Sequence, residues 1–147
     1  MIDFCILGSG ISGSTIANLL SKKYSVKVFD KARGPGGRSS NKRFKDNLSF
    51  DHGVQYVSPK SKEFKKFIQN LHKKKILKAW DENHLDFTFE KKPFSSKYIG
   101  EKANNDLAKY NLKGIKQSFA SPITKIKFNK YFWEITLNDK STHQFKS

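Results

Sequence analysis

The sequence predicts an α/β fold, with a β-α-β unit at the start and an α+β portion with antiparallel strands after it. Three observations carry this. An apolar run, Ile2 to Leu7, leads directly into a glycine-rich turn and then into a stretch of helical periodicity. A second apolar run, Ser25 to Asp30, follows that helix at once. Later in the chain the strands become short and alternating, with turns between them.

Each element has its own signal. Ile2–Leu7 is a short apolar strand. Ile11–Lys22 is a helix, and Ile16, Ala17, Leu19 and Leu20 give it a buried face. In the strand Ser25–Asp30, Val26 and Val28 alternate with Lys27. A loop then carries Arg33-Gly34-Pro35-Gly36-Gly37-Arg38, and Phe50–Val57 mixes strand and turn. Ser61–Lys74 is an amphipathic helix, because Phe64, Phe67, Ile68 and Leu71 fall at i, i+3, i+4 and i+7. Ser61 can cap it. Ile76–Asp81 and Leu85–Phe89 read as a hairpin joined through Glu82-Asn83, and Lys102–Tyr110 as a short helix. Three strands follow, Ile115–Phe119, Ile123–Phe128 and Tyr131–Leu137, with Trp133, Ile135 and Leu137 on one face of the last. Asn138-Asp139-Lys140 turns into a strand at Thr142–Phe145.

Composition narrows the function classes. The 147 residues suit one domain with a real core, and no apolar stretch reaches the length of a membrane span. Met1-Ile2-Asp3-Phe4 enters an apolar run with no charged leader, which points to a cytoplasmic protein. Cys5 is the single cysteine, so an internal disulfide is excluded, and its place in a strand makes it a small buried hydrophobe. The net charge of +16 raises a nucleic-acid or anionic-membrane surface as a class. The lysines are spread along the whole chain, however, and Lys73-Lys74-Lys75 closes a helix, where cations suit the dipole. A solvated lysine-rich exterior accounts for the total. Phe128, Tyr131, Phe132 and Trp133, interleaved with Lys125, Lys127 and Lys130, are the best nucleic-acid candidates, and a hairpin core explains them more simply. His72, His84 and His143 are too far apart to suggest a metal site. No Walker loop, G-x-S-x-G or cysteine pair is present.

Gly8-Ser9-Gly10-Ile11-Ser12-Gly13 fits G-x-G-x-x-G in the context that gives the pattern meaning, directly after a strand and directly before a helix. Gly8 permits the tight turn, Gly10 lets the backbone approach a pyrophosphate, and Gly13 lets the helix lie close to the strand. The N–H groups of the first helical turn, with the helix dipole, favour phosphates. Asp30 ends the second strand, 20 residues after Gly10. A carboxylate there can accept from ribose hydroxyls and repels a 2′-phosphate. The plainer alternative is a tight strand-to-helix turn with Asp30 as a strand-end cap.

Gly8–Gly13, Asp30-Lys31, Gly36-Gly37-Arg38 and Phe50-Asp51-His52-Gly53-Val54-Gln55-Tyr56 together resemble the flavin-containing amine oxidase superfamily. Within it, the renalase-like NAD/FAD-dependent oxidoreductases are the most similar, with a D-x-G-A-Q-Y segment. Tyr98-Ile99-Gly100 and the Ile123…Trp133-Glu134-Ile135 hairpin fall where that family has comparable features. The resemblance implies a Rossmann-type FAD-binding fold. Gly8, Ser9, Gly10, Ile11, Ser12 and Gly13 would hold the pyrophosphate, Asp30 and Lys31 the adenosine end, and Gly37 and Arg38 the phosphates. Gly53, Val54, Gln55 and Tyr56 would approach the flavin, and the Ile123 backbone would read adenine. Asp30 stands where the family has Glu, and Val54 where it has Ala. The bland alternative for Asp51–Tyr56 is a strand after a turn, with Tyr56 in the core.

The resemblance further implies hydride transfer from an amine or a reduced nicotinamide-type small molecule to FAD, with no metal. It divides the chain into a nucleotide-binding core at 1–57, the start of a substrate-domain insertion at about 58–114, and a β-meander at 115–147. Family members are longer, so the sequence reads as an incomplete domain, the N-terminal part of an oxidoreductase. The competing expectation is a non-catalytic dinucleotide-binding module that needs a complementary C-terminal chain. A membrane or nucleic-acid partner is not expected.

Overall fold

A computed structural model describes residues 1–46, 48–80 and 96–146. The chain opens with strand β1 (Phe4–Leu7), helix α1 (Ile11–Leu20) and strand β2 (Val26–Phe29). β1 and β2 pair in parallel, Phe4 opposite Val26 through Leu7 opposite Phe29. A 3-10 turn (Gly37–Ser39) leads into the hairpin β3 (Asn41–Arg43) and β4 (Ser49–Asp51). Helix α2 (Lys62–Lys73) follows, and its cap is the expected one: Ser61 Oγ accepts from Phe64 N at 3.2 Å. Strands β5 (Leu77–Ala79) and β6 (Tyr98–Gly100) pair antiparallel. The Leu85–Phe89 half of the expected hairpin lies outside the described residues. Helix α3 (Asp106–Asn111) and strand β7 (Lys116–Ser118) come next. The chain closes with β8 (Ile123–Asn129), β9 (Phe132–Leu137) and β10 (Thr142–Phe145).

Helix α1, the parallel sheet and an antiparallel meander stack as three layers, with the pairs β3–β4 and β5–β6 as separate two-stranded sheets. The parallel sheet has the order β1-β2-β7, and β8, β9 and β10 form an antiparallel meander. Of the three strands expected between 115 and 137, the first therefore joins the parallel sheet, pairing Lys116–Ser118 with Lys27–Phe29. The alternation in β2 explains the layering. Val26 and Val28 pack with Ala17 and Leu112 on the helix side, and Phe29 packs with Ile135, Leu137 and Phe145 on the meander side. A third cluster, Ile68, Leu71, Leu77 and Leu107, seats α2.

α1 corrects one expectation. Ala17 is fully buried and Leu20 packs on the core, but Ile16 is 49% and Leu19 58% exposed. The contacts that seat α1 come from its small and polar residues. Gly13 touches β1, and Asn111 Nδ2 of α3 reaches Thr15 Oγ1 (3.2 Å) while Asn18 Nδ2 donates to the Asn111 carbonyl (3.0 Å). Ile16 and Leu19 point away from both. The start of α3 also moves inward from Lys102, because the Asp106 carboxylate accepts from Lys102 N and Ala103 N and fixes a turn there.

The hairpin aromatics correct another. Ile135 and Leu137 are buried as expected, but Phe128 is 55% and Tyr131 78% exposed, and Trp133 is exposed beside Phe128. None of these three rings joins the buried clusters, which take only Ile123, Ile135 and Leu137 from the hairpin.

The half-buried Cys5 thiol packs with Phe29 and its neighbours, and burial pushes its pKa up to about 12. It stays protonated and unreactive at neutral pH. Among the described residues, no helix is long and apolar enough to cross a membrane.

Candidate functional site

Three backbone segments converge at the C-terminal end of β1. The first is the loop Gly8–Gly13. Gly8 takes φ +97°, a conformation other residues rarely adopt, and its N donates to Phe29 O at 2.7 Å. Gly13 sits so close to β1 that a Cβ there would collide with the Gly8 carbonyl oxygen. Ser14 N donates to Gly10 O (2.9 Å) as the first bond of the helical ladder. The N–H groups of Ile11, Ser12 and Gly13 precede it, in the first turn.

The second segment is the Gly36–Ser39 turn. Gly36 N donates to Ser9 O at 3.0 Å, which lays Gly37 against Gly10. The third is Gly53-Val54. Val54 N donates to Arg38 O at 2.8 Å, and a Cβ on Gly53 would strike that same carbonyl. Asn104 ties this segment down, donating from Nδ2 to Val54 O (2.7 Å) and Gln55 O (3.2 Å). Between the three lies a groove of about 480 Å3, walled by Gly8, Gly10, the first turn of α1, Gly36–Ser39 and Val54.

Asp30 reaches this groove through Ser9. Its Oδ2 accepts from Ser9 N (2.6 Å) and Ser9 Oγ (2.5 Å), and its Oδ1 accepts from Ala32 N (2.8 Å). Burial pushes the carboxyl up, but the Ser9 and Ala32 hydrogen bonds and the Lys31 charge outweigh it and hold its pKa below the usual 3.8. Asp30 is therefore ionised at neutral pH. It acts as the strand-end cap that the plainer alternative described, and its Oδ1 keeps acceptor capacity for a further donor.

The expected residues divide accordingly. Gly8, Gly10, Ile11, Ser12, Gly13, Gly37, Arg38 and Val54 wall the groove. Ser9 and Asp30 brace it, and the exposed Lys31 lies beside Asp30. Gly53 and the exposed Gln55 belong to the third segment without forming its wall. Tyr56 turns away, its ring 5.5 Å from Trp80 and its face 4.5 Å from Lys97 Nζ. Ile123, the first residue of β8, packs in the cluster of Phe29, the residue before Asp30. Asn104, which fastens the third segment, escaped the sequence reading, which set it inside the expected helix Lys102–Tyr110, whereas α3 begins at Asp106.

Residues 6–71 match the model of the NAD(P)-binding Rossmann-like domain. A shorter stretch of 53 residues is 38% identical to an uncharacterized protein of Methanocaldococcus jannaschii, covering 36% of this chain and 14% of that protein. Among solved structures, a putrescine oxidase A394C mutant superposes with a TM-score of 0.74 at 12% identity, covering 99% of this chain and 56% of that one. Tetracycline destructase Tet(51) gives 0.65 at 15% identity over 99% of this chain and 38% of its own. These likenesses show the fold: a Rossmann-like start with antiparallel sheets, shared with putrescine oxidase. The chain spans little more than half of putrescine oxidase.

Proposed function

We propose that this chain is the nucleotide-binding part of an FAD-dependent oxidoreductase of the amine-oxidase type, with a renalase-like specificity. The observation that carries the reading is the convergence of Gly8–Gly13, Gly36–Arg38 and Gly53-Val54 on one groove. Bound FAD would supply a hydride acceptor for an amine or a reduced nicotinamide-type substrate.

The residues present fit such a group. Gly10 and Gly37 leave bare backbone where a diphosphate would lie, and a Cβ on Gly10 would meet nothing closer than 3.8 Å. The N–H groups of Ile11, Ser12 and Gly13 supply donors at the positive end of α1. Arg38 adds a guanidinium at the groove wall. Asp30 Oδ1 offers an ionised acceptor to a ribose hydroxyl. The test is a titration of the purified chain with FAD, followed by flavin fluorescence, with NAD and NADP as competitors. Saturable quenching, undiminished by NADP, is expected. An absence of flavin binding contradicts the reading.

A second reading is a non-catalytic dinucleotide-binding module completed by a separate chain, acting on a small-molecule substrate only in that assembly. The exposed Leu7, Ile16 and Leu19 favour it, together with an edge of β1 that carries, among the described residues, only the Ile2–Phe145 bridge. Turnover of an amine or a reduced nicotinamide by the isolated chain contradicts it.

A further inference from the structure

We propose a second ligand site, for a phosphorylated, hydroxyl-bearing metabolite, in a basic cavity on the far side of the Arg33–Gly36 loop from the groove. The proposal goes beyond the FAD reading and does not depend on it.

The cavity holds about 540 Å3, within the range of small-molecule sites. Its walls are the Ala32–Pro35 loop, Ser40–Arg43, His52, Asn105 and Lys109. Arg33, Lys42, Arg43 and Lys109 give it four cations, and among the described residues its walls include no carboxylate. The nearby carboxylates are already engaged. Asp51 accepts from Asn41 Nδ2 (3.1 Å) and Asn104 N (3.1 Å). Asp106 accepts from Lys102 N (2.8 Å) and Ala103 N (3.0 Å) and pairs with Lys109 at 3.0 Å. Arg33, Lys42 and Arg43 are left as an excess of positive charge. Two of them are forked guanidiniums, suited to a phosphate.

A second observation specifies the ligand further. Asn105 is 92% buried in the cavity wall (relative exposure 8%). Its Nδ2 donates to Pro35 O at 3.2 Å, but its Oδ1 accepts from no group among the described residues. A buried acceptor without a donor destabilises the fold, because it has given up its bonds to water. Oδ1 presents less than 1 Å2 to solvent, so a ligand hydroxyl reaches it after a shift of the Asn105 side chain; the bond then removes that cost, which selects a sugar phosphate over a bare anion.

The loop separates this cavity from the groove. Gly36 N faces the groove and bonds Ser9 O, whereas a Cβ on Gly36 would press on Asn105 Cβ in the cavity wall. Only glycine, at φ +135°, can serve as a partition this thin.

Ribose 5-phosphate, ribose and sulfate serve as probes, titrated into the full chain by calorimetry with and without FAD. Ribose 5-phosphate should bind saturably and ribose should not. Arg43→Ala should weaken ribose 5-phosphate about 10-fold or more, as the loss of a charge-assisted bond implies, and leave FAD affinity unchanged. Asn105→Leu should weaken ribose 5-phosphate about fivefold, the value of one hydrogen bond, and leave sulfate binding unchanged. Arg43 is exposed, so its variant keeps the test open if Asn105→Leu fails to fold. No saturable binding of ribose 5-phosphate at millimolar concentrations overturns the proposal. So does displacement of the probe by FAD, which would make the cavity an extension of the groove. Equal weakening of sulfate and ribose 5-phosphate in Asn105→Leu overturns the assignment of the hydroxyl.

Discussion

The glycine-loop end of the parallel sheet and the β8–β9–β10 meander are held together in different ways. At the loop end, backbone meets backbone. Gly13 rests on the Gly8 carbonyl, Gly37 on Gly10, and Gly53 on the Arg38 carbonyl. In the meander, side chains fill space, with Ile135, Leu137 and Phe145 closing on Phe29. A region built from backbone contacts presents N–H groups and free volume to a ligand. A region built from side-chain packing supplies the stability that keeps those contacts in place. Phe29 belongs to both, since it packs in the meander core and immediately precedes Asp30.

That join gives the largest expected effect. Phe29→Ala should cost about 3–5 kcal/mol in urea unfolding, the usual range for emptying a buried phenylalanine site. A cost below about 1 kcal/mol would show that the two regions are not coupled there.

Gly13→Ala comes next. An alanine normally gains about 1 kcal/mol over glycine inside a helix. Here its Cβ meets the Gly8 carbonyl, so α1 must lift from β1, and a net loss of about 1–3 kcal/mol is expected, as for other overpacked sites. A stabilised variant would mean that the helix does not rest on the loop.

Ser9→Ala removes one of the two bonds from Ser9 to Asp30. A loss of about 1 kcal/mol at pH 7 is expected. The same bond gives a pH signature. The folded-state pKa of Asp30 is depressed, so its contribution to stability is present above 3.8 and is lost as pH falls through the lower folded value. The difference between wild type and Ser9→Ala should therefore shrink in acid below that value. A difference that grows on acidification contradicts an ionised Asp30.

Phe128→Ser should change stability by less than about 0.5 kcal/mol, because the ring is more than half exposed. A larger loss would place the hairpin tip against something in solution.

The same contrast decides what the sequence disclosed. The β-α-β unit was legible because its glycines are required by backbone geometry alone, and so was Asp30 at the end of β2. Val26, Val28 and the Ser61 cap were legible because strand alternation and capping act locally. The allocation of β7 to the parallel sheet was not, since three alternating residues fit either sheet. The exposure of Ile16, Leu19, Phe128 and Trp133 was not legible either. An apolar pattern marks a face that can be buried, and only the fold shows whether a layer reaches it. Tyr56 turned to Trp80 and Asn104 became a fastener through contacts distant in sequence, which periodicity does not encode.

Gly10 offers the most direct test of the account, because there the fold and the groove make opposite demands. Its backbone is extended, with φ −68° and ψ −177°, and a Cβ would sit at an ordinary 3.8 Å from Gly37 Cα. Gly10→Ala should therefore unfold within about 0.5 kcal/mol of wild type. Its methyl group would stand where a diphosphate must lie, so FAD affinity measured by flavin fluorescence should fall at least about 10-fold, a difference of about 1.4 kcal/mol. Equal FAD binding by the two proteins, or binding by neither, would contradict the account.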